Sequence, residues 1–466
     1  MVNNMKKIKI GFLPLYVKLY DDGAPNMRLR IDAFKNEVLD LLKAKDGVQV
    51  IAADVCRLEN EFKAAVEMFE NEKVDSIVTL HLAYSPSLES EKVLSATNLP
   101  IVILDTTPNF DFTCDDDIAS INYNHGIHGV QDMCNLLVRN NKEFFIEAGH
   151  YLESNVIDRV INCVKGIKVA KEFGNSRVGT IGGEFAGMGD FRLPEDLYAK
   201  MGIEKVELLP EEAKKYFAAV SEDEIDTLIT DDKQKYNVDA EIPEEFLRNA
   251  LKGDLAVRKW LEDKKLTAFT ANFLAVNKDF GIAGMPFAEA NRAMERGIGY
   301  AGEGDVLTAA FTGALMSVSN EASFIEMFCP DWKNNLIFIS HMGEMNTALS
   351  VDKPKYMLKP MKYSDIDTTW FCGTYKEGKA TLINLLPIAN NGFRVIVSYV
   401  DMKAPKCDKF RGNATCGWFE PAKNIADFLQ DYSKLGGTHH LNLMYGDARK
   451  IAKAFAATMG YEYYEI

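Results

Sequence analysis

Strand-like and helix-like stretches alternate through the first 175 residues, and this alternation restricts the fold more than any other feature of the chain. KIKIGFLPLY, VQVIAADV, SIVTLHL and PIVILDTT are short apolar runs of strand length. MRLRIDAFKNEVLDLLKAK, EFKAAVEMFENE, SLESEKVLSAT, HGVQDMCNLLVRN and SNVIDRVINCVKGIKVAKEFG carry apolar residues at helical spacing between and after them. Strands joined by helices pair in parallel through crossovers and are covered on both faces, so the expectation is a doubly wound α/β sheet.

FGNSRVGTIGG, from Phe173, marks a turn followed by a new strand. From there the α/β pattern continues, with an acidic helical pair in PEEAKKYFAAVSEDEIDTLITDD and a helical MPFAEANRAMERG. Beyond residue 345 the pattern becomes one of alternating apolar and polar residues around the turn signals KEGK and NNG, which favours antiparallel strands. Two further helical stretches follow, AKNIADFLQDYSKL and DARKIAKAFAATM. The expected organisation is an α/β domain over 1–175, a second over 176–325, and a β-rich, barrel-like domain with C-terminal helices over 326–466.

Length and charge narrow the function. A chain of 466 residues can bury large cores without disulfides or structural metals. Its formal charge of −15 opposes a general affinity for nucleic acid or anionic membrane. The eight cysteines include no CxxC pair, which excludes zinc-ribbon and thioredoxin patterns. No run reaches the ~20 apolar residues that a membrane helix needs. The N-terminal MVNNMKKIKIGFLPLYV, interrupted by Lys9 and Pro14, reads as a first strand rather than a signal peptide. A cytoplasmic protein is expected.

The chemistry-bearing residues are few. GTIGGEFAGMGD, from Gly179, is glycine-rich but fits neither phosphate-binding pattern, and it is expected to be a tight strand-to-helix turn. In YAGEGDVLTAAFTGAL, Asp305 stands where a helix N-cap belongs, and Glu303 lies between two glycines, either facing solvent or held for a purpose. Glu326 interrupts the apolar SFIEMF, where a charge is costly unless paired or metal-bound. His341 ends the apolar strand of NLIFISHMGEMN, and strand ends are where open α/β sheets place ligand sites. The adjacent His439 and His440 in GGTHHLNL are either satisfied structural groups or donors to the same place. Carboxylates and imidazoles without thiolates suit a divalent metal such as Mn²⁺.

GYAGEGDVLTAA, SFIEMF, ISHMGE and GGTHH resemble, in order and approximate spacing, motifs of the L-arabinose isomerases, a group related more distantly to the L-fucose isomerases. Weaker matches, including HLAYSP and NYNHGIHG, extend the resemblance over essentially the whole chain. It implies two α/β domains followed by a C-terminal antiparallel barrel-like domain, and usually a homohexamer with active sites at subunit interfaces. By motif match, Glu303, Glu326, His341 and His440 hold the metal: Mn²⁺, with Co²⁺ or Mg²⁺ as substitutes. His439 orients the turn or touches the sugar, His128 reaches the site from an adjacent subunit, and Tyr84 and Phe273 line the sugar pocket.

These residue types suit the conversion of an aldose to a ketose, with Glu303 and Glu326 sharing the proton transfers through a cis-enediol intermediate. The substrate-contacting positions depart from the family. Where arabinose isomerases carry a Gly-Ser-Gln-His-type turn after the first strand, this chain reads LPLYVKLYD, with Val17 and Lys18 near the glutamine and histidine positions. The expected substrate is therefore a pentose or hexose, 6-modified sugars included. Lys18 is either a solvated surface lysine or a partner for an anionic substituent. A sugar-binding protein without turnover and a metal-dependent aldolase are the competing readings. Absence of any metal effect on ligand affinity would favour the first, and a change of product mass the second.

Overall fold

A computed structural model describes residues 7–360, 365–403 and 409–466. The chain divides between Lys168 and Val169 into two compact units.

In the first unit, β1 (Ile8–Leu15), β2 (Val48–Ala52), β3 (Ser76–His81), β4 (Ile101–Asp105) and β5 (Phe145–Ala148) form a wholly parallel sheet in the order β2-β1-β3-β4-β5. Every residue of β3 is buried, the polar Ser76, Thr79 and His81 included, as befits a strand covered on both faces of a parallel sheet. The helix Met27–Lys43 buries Ile31, Phe34, Val38 and Leu42, one stripe at helical spacing. Each such side chain contributes about 1.5–3 kcal/mol on burial. Strand order reverses between β1 and β3, so the crevice outside their C-terminal ends is the place where this architecture receives ligands.

The second unit opens with β6 (Arg177–Ile181), β7 (Glu204–Glu207), the short β8 (Asn237–Val238), β9 (Ala268–Ala271) and β10 (Gly299–Gly302). All but β8 make a second parallel sheet, ordered β10-β9-β6-β7. Next come β11 (Ala322–Asp331), β12 (Leu336–Ser340), β13 (Lys355–Lys359), β14 (Thr368–Cys372), β15 (Gly378–Ile388), β16 (Gly392–Lys403), β17 (Gly417–Pro421), β18 (His440–Tyr445) and β19 (Glu462–Glu465). Six of these close antiparallel into a barrel, in the order β15-β18-β11-β12-β17-β16 with β16 returning to β15. Closure removes the exposed edges that an open sheet would offer to other chains. The β15–β16 turn places Asn390 and Asn391 at positive φ (59° and 58°), a backbone region that asparagine tolerates. Ile325, Ile337, Ile339, Leu382, Phe419 and Leu443 fill the barrel. β8, β13 and β14 form a separate small sheet.

The expected fold class is thus observed: parallel α/β sheets followed by a C-terminal antiparallel barrel. One local expectation fails. The glycine-rich stretch after β6 is no tight strand-to-helix turn, because the next helix begins only at Glu195. Glycines 182, 183 and 187 all take positive φ, and the long loop they allow reaches the histidines of the second unit. Among the described residues, no helix is long and apolar enough to cross a membrane.

Candidate metal centre

Glu303 follows β10 directly and holds a left-handed backbone, φ 65°, which costs a non-glycine residue about 1–3 kcal/mol. Two backbone hydrogen bonds fix it there: its N–H donates to the Ala271 carbonyl at 2.9 Å, and its carbonyl accepts from Phe185 N at 2.9 Å. On either side, glycine is required. A Cβ on Gly302 would lie 2.7 Å from His341 Cε1, and one on Gly304 would lie 2.4 Å from the Gly183 carbonyl oxygen. Asp305 then caps the helix Val306–Met316, its Oδ1 accepting from Thr308 N at 2.8 Å.

Barrel register supplies the other groups. Glu326 on β11 stands opposite His440 on β18 and opposite Ser340 on β12, so the His440 side chain is its cross-strand neighbour and His341 follows one residue beyond β12. Ligand atoms of Glu303, His439 and His440 lie within 4.8 Å of one another, as do those of Glu326, His341 and His440. The structure therefore brings together all four expected metal ligands and His439.

The three imidazoles share one arrangement. Each Nδ1 meets a carboxylate: Glu344 Oε2 at 2.7 Å for His341, Asp190 Oδ2 at 2.6 Å for His439 and Asp305 Oδ2 at 3.0 Å for His440. Each Nε2 faces a site glutamate at longer range. His341 Nε2 is 3.7 Å from Glu326 Oε2, and the Nε2 atoms of His439 and His440 are both 3.6 Å from Glu303 Oε2. His440 is fully buried, yet its Nε2 and that of His439 have no hydrogen-bond partner. A carboxylate on Nδ1 fixes the ring and leaves Nε2 for a ligand, the usual arrangement around metal-binding histidine. Two carboxylates and unsatisfied imidazole nitrogens fit a divalent cation of intermediate hardness.

Electrostatics distinguish the glutamates. Burial raises Glu303, but His439, His440 and His341 outweigh it and hold its carboxyl below the ordinary value. Burial pushes Glu326 up despite the same histidines. His341 is raised, burial being outweighed by Glu344, Glu326 and Glu303. His439, opposed by burial but hydrogen-bonded to Asp190 and close to Glu303, is pushed up to about 10.

Several participants escaped sequence reasoning. Glu344, buried, also accepts from Tyr300 Oη at 3.0 Å. Its only sequence signal is its place three residues after His341. Asp305 was legible as a cap but not as the partner of His440. Asn291 donates to the Gly343 carbonyl at 2.7 Å and accepts from Met345 N at 2.8 Å, clamping the turn after His341. Phe191 stacks on His440 with centroids 5.3 Å apart. Phe273, an expected pocket residue, packs on Phe185 at 5.5 Å.

Tyr84, His128 and Lys18 belong to the first unit. Tyr84 and His128 lie edge to face at 6.5 Å, and His128 meets His125 at 5.5 Å. His125 Nε2 lies 3.0 Å from Tyr20 Oη. Lys18 is half-exposed on the helix Lys18–Gly23, and its ammonium is bound to Asp22 at 2.6 Å.

Residues 199–321 match the family model of the L-arabinose isomerase central domain, and residues 321–462 match that of the C-terminal domain. The chain belongs to the L-arabinose isomerase family. It is 22% identical to the L-arabinose isomerase of Shouchella clausii over 465 residues, covering 97% of this chain and 92% of the relative. L-arabinose isomerase 1 of Clostridium acetobutylicum is 24% identical, with 93% and 91% covered. The L-arabinose isomerase of Oceanobacillus iheyensis is also 24% identical, with 85% of each chain covered. In this member of the L-arabinose isomerase family, the ligand-type residues come from β10, β11, β12 and β18 or the turns beside them.

Proposed function

We propose that this chain is a metal-dependent aldose–ketose isomerase acting on an open-chain pentose or hexose, 6-modified sugars included. The observation that carries the reading is the convergence of Glu303, Glu326, His341 and His440, with a fully buried and unpartnered Nε2 on His440. Family membership supports the reaction class.

Glu303, Glu326, His341 and His440 would hold the cation, Mn²⁺ first, with Co²⁺ or Mg²⁺ as substitutes. The cation would polarise the carbonyl and the adjacent hydroxyl of the sugar, stabilising negative charge on oxygen. The two carboxylates share the proton transfers. One removes the C2 proton and returns it to C1, while the other takes the O2 proton and delivers it to O1, through a cis-enediol. Atoms balance, because the product is an isomer. Two backbone hydrogen bonds hold the strained Glu303 backbone in place before substrate arrives. Phe185, whose N–H holds the Glu303 carbonyl, packs on Phe273, and the pair would offer the sugar an apolar wall.

The same reading gives His128 and Tyr84 of an adjacent copy a sugar-contacting role in a homo-oligomer, a hexamer by family resemblance, and places the protein in the cytoplasm. Lys18, bound to Asp22, would have to exchange that partner to meet an anionic sugar substituent.

The test is a panel of aldoses, L-arabinose and 6-deoxy and 6-anionic hexoses among them, incubated with metal-stripped protein with and without Mn²⁺. Mn²⁺-dependent formation of a ketose of unchanged mass is the expected result. A product of lower mass would replace isomerisation with carbon–carbon cleavage, and sugar binding without any product would leave a binding protein.

A further inference from the structure

The glycine-rich loop between β6 and the helix starting at Glu195 meets the metal centre at three points. Phe185 N donates to the Glu303 carbonyl, Phe191 stacks on His440, and Asp190 grips His439. The grip is double: one oxygen, Asp190 Oδ2, accepts from His439 N at 3.0 Å and lies 2.6 Å from His439 Nδ1. Glu344 and Asp305, which hold the other two imidazoles, are buried in the core. Asp190 differs, since its side chain is 37% exposed and rides on a loop. His439 is thus the one imidazole of the three whose carboxylate partner is exposed and lies on this loop.

With Nδ1 engaged, the only free nitrogen of His439 is Nε2, which is unpartnered and 3.6 Å from Glu303 Oε2. A group there is placed to touch the same sugar atoms as Glu303.

We propose that Asp190 is a positioning residue: it turns the His439 ring so that Nε2 meets a hydroxyl of the open-chain sugar beside Glu303, and so ties sugar binding to the seating of the 182–194 loop. The sugar class rests on the isomerase reading, but the placement of the ring does not. A carboxamide at 190 still accepts from both nitrogens with its oxygen, so Asp190→Asn keeps the geometry that Asp190→Ala destroys.

The experiment uses the full-length, Mn²⁺-free protein with ¹⁵N-labelled histidine, and long-range ¹H–¹⁵N spectra that report which ring nitrogens carry protons. His439 is assigned by comparison with His439→Gln. Wild type and Asp190→Asn are expected to show a protonated Nδ1, and Asp190→Ala to lose that signature. In parallel, Mn²⁺ affinity and the affinity of the Mn²⁺-loaded protein for L-arabinitol, an acyclic polyol, are measured. Asp190→Ala should lower L-arabinitol affinity about tenfold or more with Mn²⁺ affinity unchanged, and Asp190→Asn should restore most of it. An unchanged His439 signature in Asp190→Ala overturns the proposal. So does a loss of Mn²⁺ affinity equal to the loss of L-arabinitol affinity, which would make Asp190 a structural residue only. If wild type itself ignores L-arabinitol, the sugar reading fails, while the ring signature still decides the role of Asp190.

Discussion

Each unit gathers three histidines at the end of a parallel sheet or barrel strand, and the two groups live in opposite electrostatic worlds. In the second unit His341, His439 and His440 each have a carboxylate on Nδ1, and His341 and His439 are pushed upward. In the first unit His81, His125 and His128 sit among rings and backbone. His81 is buried with neither ring nitrogen bonded, and burial, only partly offset by Asp132, pushes it down to about 3. His125, lowered by burial and by His128, meets a tyrosine hydroxyl rather than an acid. The same side chain becomes an oriented ligand-type group where a carboxylate holds its Nδ1, and burial lowers it, as at His81 and His125, where none does.

The largest test of this contrast removes the acids that face Nε2. Glu303→Gln and Glu326→Gln should each reduce Mn²⁺-dependent turnover by about 10²–10⁴-fold, the span of general acid–base contributions. Near-normal turnover in both, with Mn²⁺ bound, would falsify the shared proton-transfer role. Next come the acids on Nδ1. Glu344→Gln and Asp305→Asn should weaken Mn²⁺ binding by about 10–100-fold, measured by titration of the metal-stripped protein. His128→Gln should leave that titration unchanged, and if it instead matched Glu344→Gln, the division between the two histidine groups would collapse.

Two glycines sharpen the comparison at smaller scale. A Cβ on Gly302 would lie 2.7 Å from His341 Cε1, and one on Gly129 would lie 2.5 Å from His81 Cδ2. Both substitutions to alanine overpack a histidine, at about 1–3 kcal/mol. Gly302→Ala should show it mainly as lost Mn²⁺ affinity, and Gly129→Ala as lost stability of the first unit. The probes separate cleanly, because all four tryptophans lie in the second unit, so hydrogen exchange at β3 reports the first. Reversed outcomes would mean that the ring at His81, not the one at His341, is the ligand.

How much of this was legible beforehand depended on the range of the interaction. The parallel sheets were written in local periodicity, as in the buried run of β3, and the barrel in the alternation beyond residue 345. Glu303, Glu326, His341 and His440 stood out because each breaks a local pattern: a charge between glycines, a charge in an apolar strand, a histidine at a strand end or in a pair. Their partners break none. Asp190 lies 249 residues before His439, and Asp305 lies 135 before His440, and each reads locally as a loop or cap residue. The glycine-rich loop departs from the expected turn for the same reason: its glycines signal backbone freedom but not what the freed chain touches. Pairing across the barrel and across long loops is decided by register and closure, which local spacing does not encode.

The gentlest perturbation is acid. His81 has an ordinary value near 6.5 and is held near 3 in the folded protein, so between those values the unfolded chain binds a proton that the folded chain refuses. Stability of the first unit is therefore complete above pH 6.5, falls as pH drops below it, and levels off near 3. From pH 6.5 to 5.5 this one group costs about 1 kcal/mol. His125, lowered as well, adds in the same direction. His439 runs the other way: held near 10, it adds stability below pH 6.5 that is lost only as pH climbs toward 10. Mild acid should thus loosen β3 in hydrogen exchange while leaving the tryptophan fluorescence of the second unit steady. In His81→Gln the exchange slope between pH 6.5 and 5.5 should flatten by that ~1 kcal/mol. An unaltered slope would show that His81 finds a proton partner on folding and that burial does not lower it.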